Sequence, residues 1–225
     1  MISYGAPDEV SVSESLTMGF PEIVLADGEL LAKVLFEPIS TCLAELGLDP
    51  TLSHLPITLS DLSPVAVANA RKTVANRLRS KGPDLIQSVA SNLQTKFGSH
   101  EVWCGIHPQV RMFSGLDRTG TPLHADSWYG HSRNCVVVWF ALHRANSLYI
   151  VSRSDQGESQ QHFQVRPGEA VVFGGDQAHG GTPSAPLGRL SVDIRVQSVS
   201  TPLAEKRDDS YRLTRLNTPS TDQFV

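Results

Sequence analysis

The sequence predicts a mainly β domain whose strands follow a helical N-terminal part. From about residue 101 to 198, apolar, β-branched and aromatic runs of strand length recur, with glycine and proline turn signals between them. Residues 190–196 alternate strictly between aliphatic and polar side chains, as in a strand with one apolar face. Residues 1–100 instead carry helix caps and helical spacing of apolar residues. We therefore expect one domain over residues 1–225.

Helix signals begin early in the chain. Asp27 is a predicted cap for a helix over residues 28–37, and Pro38 is predicted to kink or break that helix. Ser63 followed by Pro64 is a cap and first-turn pair for a second helical run.

The most amphipathic helix is predicted over residues 84–97. Six apolar residues share one stripe there, and Gly98 is expected to end the helix. A sheet needs its apolar face covered, so the helices of residues 1–100 are expected to buttress the strands of residues 101–198. Residues 199–225 form a polar tail whose position the sequence leaves open.

Strand-length runs fill the second half of the chain. The predicted strand segments are residues 135–142, 147–152, 162–165, 170–173 and 190–196. The last of them has two unlike faces. Four polar residues lie on one face (Arg189, Ser191, Asp193, Arg195) and four aliphatic residues on the other (Leu190, Val192, Ile194, Val196). A small barrel or sandwich that encloses a polar cavity would suit such a strand.

A metal site is predicted from His124, Asp126 and His179. The first two residues are spaced i, i+2, so on a strand both side chains point to the same face. On a helix they would diverge by about 200°, at 3.6 residues per turn. Two imidazoles and one carboxylate can occupy one face of a six-coordinate metal and leave three positions open, as in non-haem Fe(II) oxygenases.

From about residue 102 to 196, the chain resembles the double-stranded β-helix (jelly-roll) core of Fe(II)- and 2-oxoglutarate-dependent oxygenases. It is most similar to their phytanoyl-CoA hydroxylase-like branch, which acts on small metabolites. The matching segments are residues 123–126, 147–151, 166–173, 179–182 and 189–195. The resemblance implies a jelly-roll, cupin-like core buttressed by the N-terminal helices.

The resemblance also implies roles for single residues. In that family the H-x-D pair and the distal histidine bind iron, which here are His124, Asp126 and His179. The arginine of an R-x-S element pairs with the distal carboxylate of 2-oxoglutarate, which points to Arg189 with Ser191. The cosubstrates would be 2-oxoglutarate and O2, with release of succinate and CO2. Halogenating relatives carry a small residue in place of Asp126, so hydroxylation is preferred here, with desaturation, epimerisation and ring closure left open.

Other arginines permit more than one interpretation. An arginine on the cavity face of a core strand is costly to bury without an anion, which favours Arg189 as a clamp over an ion pair with Asp193. Arg111 could point into the barrel and help to hold 2-oxoglutarate or substrate. Arg195 could pair with Asp193, Asp176 or a substrate acid.

The predicted substrate is a small polar or anionic metabolite or a natural-product intermediate. Candidate substrate-binding residues are Trp128, His131, Arg118 and Arg195. Trp128 would lie on the face of Asp126 if that strand continued, and ordinary core packing is the alternative. His131 follows where the chain leaves the predicted metal site. No catalytic residue is predicted beyond the metal ligands.

Composition excludes several classes of protein. The formal net charge of −4 argues against a nucleic-acid binder, because phosphates require a basic surface. No run approaches 18 apolar residues, and the N-terminus lacks the pattern of a signal peptide. The three cysteines lack metal-type spacing and are expected to be buried thiols in a reducing cytoplasm.

Two alternatives come from other classes. One is a cupin-type metal-dependent isomerase or dioxygenase, whose site typically uses three histidines and a glutamate. The other is a non-catalytic metal-binding jelly roll. Neither requires Arg189.

Overall fold

The computed structural model describes residues 21–51, 54–114, 121–142, 148–154, 157–181, 188–200 and 210–217. Within these residues, eleven strands form two antiparallel sheets that face each other. The strands are β1 (Glu22–Leu25), β2 (Glu101–Gly105), β3 (Gln109–Phe113), β4 (Thr121–His124), β5 (Cys135–Ala141), β6 (Leu148–Ser154), β7 (Gly157–Phe163), β8 (Glu169–Gly174), β9 (Ala178–Gly181), β10 (Arg189–Ser198) and β11 (Tyr211–Arg215).

Strand β10 organises the larger, seven-stranded sheet. The order of that sheet is β1-β8-β5-β10-β2-β11, and β3 also pairs with β10. One edge of β10 pairs with β5, whereas the other pairs with β3 over residues 189–193 and with β2 over residues 196–198. The smaller sheet has the order β4-β9-β6-β7. This arrangement confirms the predicted mainly β class with helices ahead of the core.

The two faces of β10 lie in the environments that the alternation predicts. Leu190, Val192, Ile194 and Val196 belong to a core that the larger sheet shares with the helices. A second apolar cluster fills the space between the sheets and includes Val137, Trp139, Leu148, Ile150 and Phe173. The polar face of β10 is directed into that same space, where Ser191 and Asp193 are buried.

Helices cover the outer face of the larger sheet. They are Gly28–Leu31, Glu37–Glu45, Leu55–Ser60, Pro64–Arg77, Gly82–Gln87 and Ala90–Phe97, with a π-helical stretch at Ala32–Phe36. The predicted caps are confirmed: the side chains of Asp27 and Ser63 accept hydrogen bonds from the backbone N–H groups of Leu30 and Ala66. The chain does not break at Pro38. A widened π turn precedes it, and the proline lies in the first turn of the next helix.

The prediction of one continuous helix over residues 84–97 is wrong, because two shorter helices form there. Ser88 and Val89 separate them, with Val89 at φ −125°. The carbonyl of Ser88 accepts a hydrogen bond from the backbone N–H of Asp27 at 2.7 Å, so it serves the start of another helix. Gly98 ends the second helix at φ +59°, as predicted.

Part of the predicted polar tail belongs to the sheet. Residues 211–215 form β11, which pairs along its whole length with β2. Tyr211 and Thr214 are at least partly buried in this strand.

Two composition-based expectations can be compared with the described residues. Cys42, Cys104 and Cys135 are free and buried, as predicted. No helix in the described part of the chain is long and apolar enough to cross a membrane.

Candidate metal centre

His124 and His179 lie opposite each other on neighbouring antiparallel strands. His124 ends β4, His179 is the second residue of β9, and their Cα atoms are register partners. Directly paired side chains on one face of a sheet are close neighbours. The centroids of the two imidazole rings are accordingly 4.4 Å apart, and both side chains are buried.

Backbone carbonyls fix the orientation of both rings. Nδ1 of His124 lies 2.8 Å from the carbonyl oxygen of Pro122, and Nδ1 of His179 lies 2.9 Å from that of Gln177. A carbonyl oxygen can only accept, so each Nδ1 acts as the donor, and Nε2 is the nitrogen that a metal could bind. Metal-bound histidines commonly have this arrangement. Burial lowers the pKa of His179 to about 4, which keeps its imidazole neutral near pH 7.

The carboxylate of Asp126 lies near the two histidines because a single extended residue, Ala125, separates Asp126 from His124. Ala125 is extended (φ −113°, ψ 143°), so the i, i+2 geometry of His124 and Asp126 holds although β4 has ended. A 3₁₀ helix then begins at Asp126 and ends at Tyr129. The backbone N–H of Ser127 donates to the carbonyl of Gly175 at 3.1 Å, which ties this turn to the end of β8.

The three side chains together fit a divalent metal. Each offers a ligand atom, and these atoms all lie within 4.8 Å of one another. No other cluster of this kind with three or more potential ligands occurs among the described residues. Burial would raise the pKa of Asp126, but the charge and hydrogen bonds of Arg195 outweigh burial and hold that pKa below its usual value. The donor set therefore comprises two imidazoles and one carboxylate, which suits iron with open positions.

Arg189 lies in a small cavity beside this cluster. Its side chain is buried, stacks on Phe113 with its guanidinium carbon 4.3 Å from the ring centroid, and donates to Thr121 Oγ1 at 3.0 Å. Ser191, two residues on, lines the same cavity, which His179 also lines. The cavity measures only about 20 Å³, room for a water molecule, so a dicarboxylate could enter only if lining side chains moved outward.

Arg111 and Arg195 form a row of ion pairs with two aspartates. Nε of Arg111 donates to Asp193 at 2.7 Å, and Nη1 of Arg195 lies 3.0 Å from the other oxygen of Asp193. Arg195 also donates to Asp126, through Nε at 2.7 Å and Nη2 at 3.1 Å. Of the partners considered from the sequence for Arg195, the structure brings Asp193 to it. Its other partner, Asp126, is not among those that the sequence suggests.

The predicted substrate residues occupy different places. Trp128 lies in the 3₁₀ helix, so the strand does not continue, and its side chain is 56 % exposed. His131 lines a polar cavity of about 260 Å³ with Arg195 and Tyr211, and its Nδ1 lies 3.3 Å from the Tyr211 hydroxyl. This cavity adjoins Asp126: Arg195 binds the Asp126 carboxylate, and the backbone N–H of His131 donates to the Asp126 carbonyl at 3.4 Å. Arg118 lies outside the described residues.

Several residues near the cluster gave no usable signal in the sequence. Tyr129 is 59 % exposed, and its ring packs edge-on against His124 at 5.7 Å, so it connects the cluster with the surface. Phe113 is the strand partner of Arg189 on β3, whereas Thr121 reaches Arg189 from β4 of the smaller sheet. Gly181 leaves room for the Arg189 guanidinium: a Cβ atom there would lie 2.5 Å from Nη1. Only the glycine run after His179 could have suggested such a close approach.

Comparison with known proteins supports the fold. No family model matches the chain, and no curated protein is significantly similar to it in sequence. The chain is similar to the solved structure of the non-heme monooxygenase ThoJ with nickel, with 14 % identity, a TM-score of 0.53 and coverage of 91 % of this chain and 84 % of ThoJ. It is also similar to the non-heme alpha ketoglutarate dependent carbocyclase SnoK from nogalamycin biosynthesis, with 10 % identity, a TM-score of 0.51 and coverage of 93 % and 100 %. At these identities the likeness shows the fold alone, and it confirms the predicted jelly-roll core.

Proposed function

We propose that this protein is a non-haem Fe(II)- and 2-oxoglutarate-dependent oxygenase that acts on a small molecule. The observation that carries the proposal is one buried cluster of three ligand atoms, with a buried arginine lining the adjoining cavity. His124 and His179 engage Nδ1 with backbone carbonyls, and the three side chains offer ligand atoms that lie within 4.8 Å of one another. Arg189 gives the adjoining cavity a cation that suits a carboxylate.

Different residues would have different roles in such a reaction. His124, Asp126 and His179 would hold the iron, and Arg189 with Ser191 would bind the distal carboxylate of 2-oxoglutarate. Bound iron with 2-oxoglutarate and O2 supplies an oxidant for a substrate C–H bond, with succinate and CO2 as by-products. Apolar side chains such as Trp139 and Phe173 line one part of the cavity and would lie beside the bound cosubstrate.

The substrate is proposed to approach beside Trp128 and Tyr129. These exposed aromatic side chains lie two and three residues after Asp126, and Tyr129 contacts the ring of His124. His131 and Arg195 would act from the far side of the Asp126 turn. Hydroxylation is the proposed outcome, because a carboxylate at Asp126 occupies the position that chloride would need. A reducing cytoplasm is the proposed location, on the three free thiols.

A succinate-release screen tests the proposed function. The protein is incubated with Fe(II), 2-oxoglutarate and O2 against polar metabolites and natural-product intermediates, and products are analysed by mass. We expect one compound class to stimulate succinate formation and to gain one oxygen atom. Succinate formation that never exceeds that of the metal-free protein, with or without added compounds, contradicts the proposal and favours a metal-binding jelly roll without this cosubstrate.

Gly181→Ala is expected to raise the 2-oxoglutarate requirement while Arg189 stays in the chain. The new methyl group would lie 2.5 Å from Nη1 and 2.8 Å from Nη2 of Arg189, so the flexible guanidinium must move. A misplacement of about 1 Å in a binding group can cost 10²-fold. We expect the 2-oxoglutarate Kd to rise about 10- to 100-fold at nearly unchanged Fe(II) affinity.

Gly28→Ala is the matched control for that measurement, because nothing lies within 4 Å of the added Cβ atom. Equal 2-oxoglutarate binding by the Gly181→Ala variant and this control would show that the position of the Arg189 guanidinium is unimportant for the cosubstrate.

The Asp126→Gly variant is expected to lose hydroxylation activity and to bind a small anion at the metal instead. The change removes the carboxylate ligand and leaves the buried guanidinium of Arg195 without one of its two anionic partners. Chloride or azide is expected to enter, since it satisfies both the metal and the arginine. Azide titration of the Fe(II)-loaded variant, followed by absorption, measures this binding. Hydroxylation at the parental rate by the iron-loaded variant would remove Asp126 from the ligand set.

A further inference from the structure

Arg195 grips the carboxylate of Asp126 with two hydrogen bonds of unequal length. Nε donates to Oδ2 at 2.7 Å, and Nη2 donates to Oδ1 at 3.1 Å. Oδ1 is also the oxygen that lies 3.7 Å from Nε2 of His124. The two oxygens therefore have different surroundings: Oδ2 makes the shorter bond to the guanidinium, and Oδ1 lies close to His124.

The guanidinium of Arg195 also contacts a second carboxylate, that of Asp193. Nη1 lies 3.0 Å from Asp193 Oδ1, which among the described residues accepts no hydrogen bond of good geometry, so this contact is an ion pair only. Asp193 Oδ2 accepts from Nε of Arg111 at 2.7 Å. Two arginines and two aspartates thus alternate in a row of ion pairs, in the order Arg111, Asp193, Arg195 and Asp126. Their charges cancel, as the burial of charged groups requires.

We propose that Arg195 is a positioning residue that makes Asp126 a ligand through one oxygen only. A carboxylate can bind a metal through one or both oxygens. With two histidines and one oxygen, three of six positions stay open, two for 2-oxoglutarate and one for O2. With both oxygens bound, 2-oxoglutarate would fill the last two positions and leave none. The two bonds of the guanidinium fix the plane of the carboxylate, and the shorter bond holds Oδ2, so Oδ1 remains the ligand oxygen and the third position stays open.

A simpler role for Arg195 would be charge neutralisation alone. A lysine at residue 195 would keep the positive charge but lose the planar fork, which contacts both oxygens of the carboxylate at once. The pair of variants Arg195→Lys and Arg195→Met therefore separates the two roles: the first keeps only charge, and the second keeps neither.

Nitric oxide serves as the probe of the open position. Each protein is loaded anaerobically with Fe(II) and saturating 2-oxoglutarate, and nitric oxide binding is titrated by electron paramagnetic resonance. We expect the parent to bind nitric oxide, and Arg195→Lys to bind it about 10- to 100-fold more weakly, the range typical for losing a partner of a metal ligand. Arg212→Lys, at an exposed arginine of β11, is the matched control and should resemble the parent.

The outcomes separate this inference, which rests on the proposed function, from that function. If the parent binds neither Fe(II) nor 2-oxoglutarate, both proposals fail. If the parent binds both and the Arg195→Lys and Arg195→Met variants match its affinity for nitric oxide, the positioning role alone is overturned. Thermal unfolding and Fe(II) affinity are measured for each variant. If Arg195→Met does not fold, Arg195→Lys still decides, because it keeps the charge that balances Asp126 and Asp193.

Discussion

Alanine at His124, Asp126 or His179 is expected to abolish Fe(II)-dependent succinate formation. The three side chains act as a unit, so removal of any one should cost about as much as removal of all of them. The fold should persist, because β4 and β9 are held by their own hydrogen-bonded pairing and the apolar clusters lie elsewhere. Fe(II) binding and succinate formation are measured on each purified variant.

His162→Ala is the matched control for these variants. His162 is an exposed histidine on β7 of the same small sheet, outside the metal cluster, and its loss should leave iron binding and succinate formation unchanged. Parental activity in one of the three cluster variants would exclude that residue as a ligand. Equal loss in the His162 variant would point to a general effect of altering the sheet.

Arg189→Ala is expected to have the largest effect on 2-oxoglutarate binding. The distal carboxylate would enter the cavity that Arg189 lines, so its charge would be met there by the buried guanidinium. Removing one member of a buried charge pair costs about 2–5 kcal/mol, which corresponds to about 30- to several-thousand-fold in Kd. Fe(II) affinity should be nearly unchanged, and Arg189→Lys should recover only part of the binding.

Two rival arginines are tested in the same experiment. Arg111 lines the cavity of Arg189 but is paired with Asp193, and Arg195 lines the larger cavity on the other side of Asp126. Six residues of extended strand separate Arg189 from Arg195, about 20 Å. Titration of 2-oxoglutarate against alanine variants of all three arginines decides between them. An unchanged curve for Arg189→Ala, with weak binding by either rival variant, would overturn the assignment.

The sequence was most informative where local periodicity sets the direction of side chains. The alternation of residues 189–196 predicted which face of β10 meets the helices and which meets the cavity. The spacing of His124 and Asp126 predicted extended geometry, and it holds through Ala125. Both patterns are local consequences of strand geometry, so they need no knowledge of the tertiary fold.

The errors occurred where distant contacts compete with local preference. The stripe of residues 84–97 suits one helix, yet the N–H of Asp27 takes the carbonyl of Ser88 and two helices form. Trp128 would share the face of Asp126 only on a continuing strand, and the chain instead turns at Asp126, where the N–H of Ser127 bonds the carbonyl of Gly175.

The partner of Arg195 is a further case of a distant contact. It lies 69 residues away, at Asp126, and strand register and the turn after β4 bring the two together. No periodicity in the sequence carries that information.

The most direct test of the proposed function is the visible spectrum of the protein with Fe(II) and 2-oxoglutarate in the absence of O2. We predict a weak charge-transfer band that saturates with one Fe(II) and one 2-oxoglutarate per chain. The band should be absent in His179→Ala and should require far more 2-oxoglutarate in Arg189→Ala. Folded parent protein that binds Fe(II) without any such band, or a band that persists unchanged in His179→Ala, would contradict the proposed iron and 2-oxoglutarate site.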